Sequence, residues 1–303
     1  MIETVDFGGW PNCIRLSNGE IELIATTDVG PRIIRFGFIG GQNLFHVYPA
    51  TLGRTGDPDW QPYGGHRLWH APEVSPRTYT PDNVPVDHEW DGATLTLRSF
   101  DVPNGIEREM RLTMSPTAPL VSVVHRLVNR SPWPIELAVW GVSVMAHGGR
   151  GVFPLDDFVS HDETLLPARP LVLWPYTDMT DPRWTWGSRY VQLRQDQSAT
   201  RSQKIGMLNP KGWAAYLVGG EAFIKGYPCE PGATYTDMGC NTESYTDPDM
   251  LEVETLGPLT RLEPGTGADH LESWLVAKVD CGLGDADIDA ALLPLVGQLP
   301  PRR

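Results

Sequence analysis

The segment Ile106-Glu107-Arg108-Glu109-Met110-Arg111-Leu112-Thr113-Met114, then Leu120–Asn129, then residues 135–147, decides the fold class. The three stretches carry the two-residue period of extended chain, and prolines (Pro116 and Pro119, then Pro132 and Pro134) separate them. The same period spreads outward in both directions. Upstream it appears at 20–27, where Ile21, Leu23 and Ala25 alternate with polar partners, at 31–39 and 43–48, and at 92–100 with Ala93, Leu95 and Leu97. Downstream it returns at 171–174, 190–193, Trp213–Val218, 222–227, 250–256 and 270–279. Only Asp285–Val296 reads as a helix, with Asp285 and Asp287 placed favourably at the positive end of its dipole. The chain holds 31 glycines and 28 prolines, the composition of many short strands joined by turns. An all-β fold is predicted: a large antiparallel β-sandwich of two packed sheets with one short C-terminal helix. It is read as a single unit over 1–303, the sandwich at about 14–280 and the helix at about 285–296.

Charge removes several classes of partner. The formal net charge is −14 and only four lysines are present, which disfavours a phosphate backbone or an acidic membrane surface. No apolar run approaches the roughly 18–20 residues needed to span a bilayer. Met1-Ile2-Glu3-Thr4-Val5-Asp6 shows neither a basic nor an apolar leader region, so a cytoplasmic location is expected. Cys13, Cys229, Cys240 and Cys281 lack paired spacing and read as reduced thiols. The expected partner is a small-molecule carbohydrate, with no nucleic acid, no membrane and no cofactor.

Two dense polar-aromatic segments motivate the sugar. The first is Gly64-Gly65-His66-Arg67-Leu68-Trp69-His70-Ala71-Pro72-Glu73. The second is Met250-Leu251-Glu252-Val253-Glu254-Thr255-Leu256-Gly257-Pro258-Leu259, followed by Leu262-Glu263-Pro264-Gly265, His270 and Trp274. Carboxylates, imidazoles, a guanidinium and indoles suit a ring with hydroxyls on its edge and C–H groups on its faces. In an extended strand Glu252 and Glu254 share one face about 7 Å apart, while Leu251, Val253 and Thr255 take the other. Two carboxylates on a dry face are costly, so that face is expected to meet solvent, a cleft or basic partners. Loops 52–63 and 175–187, rich in turn residues and aromatics, read as binding-site walls. His66, His70 and Glu73 also suggest a metal, but Pro72 prevents a helix from setting their spacing, and none is expected. Gly148-Gly149-Arg150-Gly151 reads as a turn.

The order Glu254-Thr255, Leu262-x-Pro264-Gly265, then His270 with Trp274 resembles the C-terminal end of the aldose 1-epimerase (galactose mutarotase) superfamily. Gly64-Gly65 with Pro72 is similar to its hexose-phosphate epimerase branch. Leu16-Ser17-Asn18-Gly19-Glu20 through Asp28-Val29-Gly30-Pro31-Arg32-Ile33 resembles a bacterial branch of it. The resemblance spans about residues 14–280. It implies a twisted sandwich that binds sugars on a concave sheet face and interconverts anomers by acid–base ring opening. It makes Glu254 the general base, with Glu243 as runner-up. Trp140 falls where the family carries its acid histidine, which leaves His147, His70 or His66 to supply the acid. Substrate contacts are expected from His66, Arg67, Trp69, Glu73, Trp140, Glu243 and Glu252. Two other readings stay open: a non-catalytic sugar-binding or regulatory protein, and a glycoside hydrolase or lyase using paired carboxylates.

Overall fold

The computed structural model describes residues 1–301. The chain opens with β1 (Ile2–Phe7), β2 (Trp10–Ser17), β3 (Ile21–Thr26), β4 (Arg32–Phe38) and β5 (His66–Ala71), paired in that order as one arm of the first sheet. A 3₁₀ turn at Arg77–Tyr79 precedes the crossing to the second sheet. There β6 (Asp87–Trp90), β7 (Thr94–Asp101), β8 (Ile106–Met114) and β9 (Leu120–Asn129) form a meander. β10 (Ile135–Met145) returns to pair with β5. From there the chain alternates between layers. The second sheet gains β11 (Arg150–Pro154), β13 (Trp184–Trp186), β14 (Tyr190–Arg194), β16 (Trp213–Val218), β17 (Glu221–Gly226) and β21 (Gly267–Lys278). The first gains β12 (Leu171–Leu173), β15 (Gln203–Met207), β18 (Thr242–Thr246) and β19 (Leu251–Leu256), while β20 (Thr260–Leu262) pairs with the start of β10. The strand orders are β1-β2-β3-β4-β5-β10-β19-β18-β15-β12 and β13-β14-β11-β16-β17-β21-β9-β8-β7-β6, with the named pairs antiparallel. No helix among the described residues is long and apolar enough to cross a membrane.

The β-sandwich follows from alternation. Inward-facing residues of both sheets form one core, in which Phe36, Phe45, Phe223 and Trp274 bridge the layers with ring centroids 5.4–6.2 Å apart. Helix α1 (Asp285–Val296) covers the outer face of the second sheet, seating Ile288 and Leu292 against Trp213, Ala215, Ile224 and Leu275. Asp285 ties its first turn down by accepting bonds from the backbone N–H groups of Ser188 and Arg189.

Four expectations need correction. Residues 43–48 do not form a strand and make only isolated bridges at Phe45 and Val47. The Asn43 amide accepts from the N–H groups of Phe36 and Phe45 and donates to the Ile34 carbonyl, taking the place of a ladder. Arg150 and Gly151 belong to β11, and Gly149 serves close packing instead of a turn: a Cβ there would lie 2.4 Å from the Tyr216 ring. Within 175–187, Trp184–Trp186 is a short edge strand. The first sheet begins at Ile2, well before residue 14.

Candidate functional site

The centre of the first sheet presents a depression of about 430 Å³ on the face turned away from the second sheet. Register explains which side chains meet there. Arg67 on β5 pairs with Val142 on β10, Val142 with Glu254 on β19, and Glu254 with Glu243 on β18. The next row runs Val144, Glu252, Tyr245 and Lys204, and the row on the other side pairs Trp69 with Trp140. Loops complete the walls with Tyr48, Trp60, Tyr79 and Tyr176, and with Glu73, Asp247 and Asp249.

Two ion-pair systems organise this surface. Arg67 Nη2 donates to Glu252 Oε1 at 2.8 Å with both side chains almost fully buried, and its guanidinium lies 4.1 Å from the Trp69 ring and 5.7 Å from that of Trp60. Lys204 Nζ reaches Glu243 Oε2 at 2.8 Å and Glu254 Oε2 at 3.1 Å, and packs over the rings of Trp140 and Trp174. Trp140 Nε1 donates to Glu254 Oε2 at 3.1 Å. Glu254 has no exposed surface and Glu243 has 1 %. Burial pushes both carboxyls up out of the usual range, against the opposing pull of Lys204. Burial also disfavours the Lys204 charge, but the two glutamates outweigh it and hold the ammonium well above its ordinary value. One ammonium offsets one carboxylate, so the trio holds best when the glutamates share a proton.

Arg67, Trp69, Glu73, Trp140 and Glu252 therefore line one depression, with Glu254 and Glu243 sealed beneath Trp140 and Lys204. The histidines do not join them, which corrects the expectation that they reach a ligand. Parity along β5 sends Arg67 and Trp69 outward but turns His66 and His70 toward the second sheet. His66 Nδ1 meets Ser143 Oγ at 2.8 Å, its Nε2 meets His125 Nε2 at 2.6 Å, and His125 Nδ1 meets the His270 carbonyl at 3.1 Å. A carbonyl only accepts, so the proton positions follow in order: His125 Nδ1–H donates to it, His66 Nε2–H donates to His125, and Ser143 donates to His66. Beside this chain Glu272 accepts from Lys225 at 3.0 Å, Trp274 at 2.6 Å and Thr255, which in turn meets His270 Nε2 at 2.8 Å. Burial holds all three histidines below their usual pKa, His270 down at about 3.

His66, His125 and Glu272 offer donor atoms within 4.8 Å of one another. Two ligands of one tetrahedral ion, each about 2.0–2.1 Å from it, lie about 3.3 Å apart. The 2.6 Å between the imidazole nitrogens fits a shared proton better, and Lys225 already occupies the carboxylate. The set His66, His70 and Glu73 is divided between the two faces of the first sheet. His70 is fully buried, and burial, with Arg108 and Arg77 nearby, lowers its pKa to about 3. His147 lies past the end of β10, its Nε2 donating to the Asp249 carbonyl, its Nδ1 accepting from Gln197, and its ring stacked on His46.

Lys204 is not legible in the sequence, because Gln203–Met207 is short and lacks a clear alternation of apolar and polar residues. Tyr245 and Asp247 were missed, although they share the parity of Glu243. Trp60 and Tyr176 were foreshadowed, since they sit in the two loops read as walls.

No protein family and no curated protein matches the sequence. Solved structures do match the fold. A galactose mutarotase-like protein from Lactobacillus casei ATCC 334 aligns with TM-score 0.56 at 9% identity over 88% of this chain and 100% of its own. A galactose mutarotase-like protein from Clostridium acetobutylicum gives 0.52 at 10% over 92% and 98%. A galactose mutarotase related enzyme from Lactobacillus acidophilus gives 0.51 at 10% over 90% and 98%. The chain has the galactose mutarotase-like fold.

Proposed function

We propose that this chain, on its galactose mutarotase-like fold, binds a sugar in the depression over β5, β10, β19, β18 and β15. The observation that carries the reading is the lining. Flat aromatic faces (Trp60, Trp69, Trp140, Tyr79, Tyr176) stand beside carboxylates and a fixed guanidinium within a volume suited to a small ligand. Aromatic faces stack on sugar C–H groups, and the polar groups between them pair with hydroxyls at the ring edge. Recognition is favoured over catalysis because the acid–base pair is not presented to a ligand. Glu254 is enclosed and held by Trp140 and Lys204, and Trp140 stands where the resemblance puts an acid histidine. Titration calorimetry with pentoses and hexoses is expected to detect binding, and Trp69→Ala to weaken it at least about tenfold, as loss of a central aromatic anchor does. Absence of binding across the panel would remove this function.

A second reading, an aldose 1-epimerase-like isomerase, draws on a different observation. Glu243 and Glu254 face each other across adjacent strands with carboxyls raised toward neutrality, the range useful to a general acid or base. In that chemistry a base takes the anomeric hydroxyl proton while an acid protonates the ring oxygen. The C1–O bond of the ring breaks, C1 turns about C1–C2, and the ring closes on its other face. It requires Trp140 or Lys204 to swing aside. Polarimetry decides between the readings: accelerated anomerisation that falls at least about a hundredfold in Glu254→Gln supports the isomerase. Sugar binding without acceleration supports recognition.

A further inference from the structure

We infer that the depression selects an amino sugar in its ammonium form over the neutral sugar of the same configuration, an inference that rests on reading the depression as a sugar site. The charges are unequally committed. Both cations in the lining are spent: Arg67 on Glu252, and Lys204 on Glu243 and Glu254. Glu73, Asp247 and Asp249 also line it, and among the described residues no lysine or arginine pairs with them. Among the described residues Glu73 accepts a hydrogen bond from the Tyr79 hydroxyl alone. Asp247 Oδ1 accepts from the backbone N–H groups of Asp249 and Met250, and burial pushes its carboxyl up, as happens when a carboxylate lacks a counter-charge. Three carboxylates in excess, set among the faces of indoles and phenols, are the surroundings that attract a ligand cation both by charge and through ring quadrupoles.

Arg67, whose side chain is only 7 % exposed, is held by Glu252 and packed over the Trp69 ring, so it offers a ligand no free charge. An anionic sugar meets the opposite situation to an ammonium, because its carboxylate or phosphate finds no uncommitted cation in this lining. Arg201 lies in an adjoining hollow beyond Tyr176 and Tyr245.

The test is titration calorimetry at pH 6.5 and low salt with glucosamine and galactosamine, glucose and galactose, glucuronate and glucose 6-phosphate. The amine is expected to bind about tenfold more tightly than its hydroxyl counterpart, the worth of one charge-assisted hydrogen bond. The anionic sugars should bind more weakly than the neutral ones. Raising salt to about 0.5 M should narrow the amine-to-hydroxyl ratio. Asp249→Asn and Glu73→Gln, both at exposed positions and checked by thermal melting, should narrow it too. Equal affinities, or a preference for glucuronate or the phosphate, would overturn the charge selection while leaving sugar recognition standing. Binding by no member of the panel would overturn recognition itself, and this inference with it.

Discussion

Lys204 carries one positive charge between two buried carboxylates, and that mismatch governs how the site responds to pH. Burial raises both carboxyls, so the folded chain keeps a proton that the unfolded chain releases above the ordinary glutamate value of 4.5. The pair's contribution to stability is therefore full below that value and is lost as pH rises through the folded-state values. Glu243→Gln removes one titrating partner, so its melting temperature relative to the parent should climb steadily between pH 5 and pH 9. A constant difference over that range would show that the pair does not share a proton. Lys204→Met leaves the carboxylates without their cation, and urea denaturation should show a loss of about 3–5 kcal/mol at pH 8. The loss should shrink at pH 5, where both glutamates can be protonated. The same residue-scale logic separates His66 from Arg67. They are neighbours in sequence, yet one joins a closed hydrogen-bond chain and the other the open depression.

At the scale of elements, β10 matters most, because it joins the two arms of the first sheet and carries side chains to both faces. Its Gly141 sits between Leu68 and Thr255 in the ladders. A Cβ there would lie 2.5 Å from Glu272 Oε1, and that carboxylate cannot retreat because Lys225, Trp274 and Thr255 hold it. Gly141→Ala is expected to cost about 1–3 kcal/mol by overpacking, measured by denaturant unfolding. An unchanged midpoint would mean that the network yields easily. Helix α1 offers the opposite case. Leu292 is fully buried on the outer face of the second sheet, across the sandwich from the depression. Leu292→Ala should lower stability by about 2–5 kcal/mol in the same measurement while leaving sugar affinity unchanged. A parallel loss of affinity would show that the helix supports the depression through the core.

Across the whole molecule, the inward faces of both sheets contribute to one continuous core that is larger than the apolar clusters on the outer faces. Unfolding followed by tryptophan fluorescence and by far-ultraviolet circular dichroism should therefore give coincident transitions. Two separated midpoints would mean that the layers unfold independently. What the sequence determined by itself is what period and parity encode: strands such as Ile106–Met114 and Leu120–Asn129, the helix at Asp285–Val296, and the shared face of Glu252 and Glu254. These depend on each residue's immediate neighbours, so they can be read along the chain. Periodicity does not say which strands lie side by side, because pairing is fixed by contacts between distant segments. Lys204 meets Glu254 across 50 positions of sequence, and Arg67 meets Glu252 across 185. Nor does parity say which face of a strand is the outer one. That was decided when the second sheet packed against the first, enclosing His66 and His70 and leaving Arg67 and Trp69 on the side of the depression.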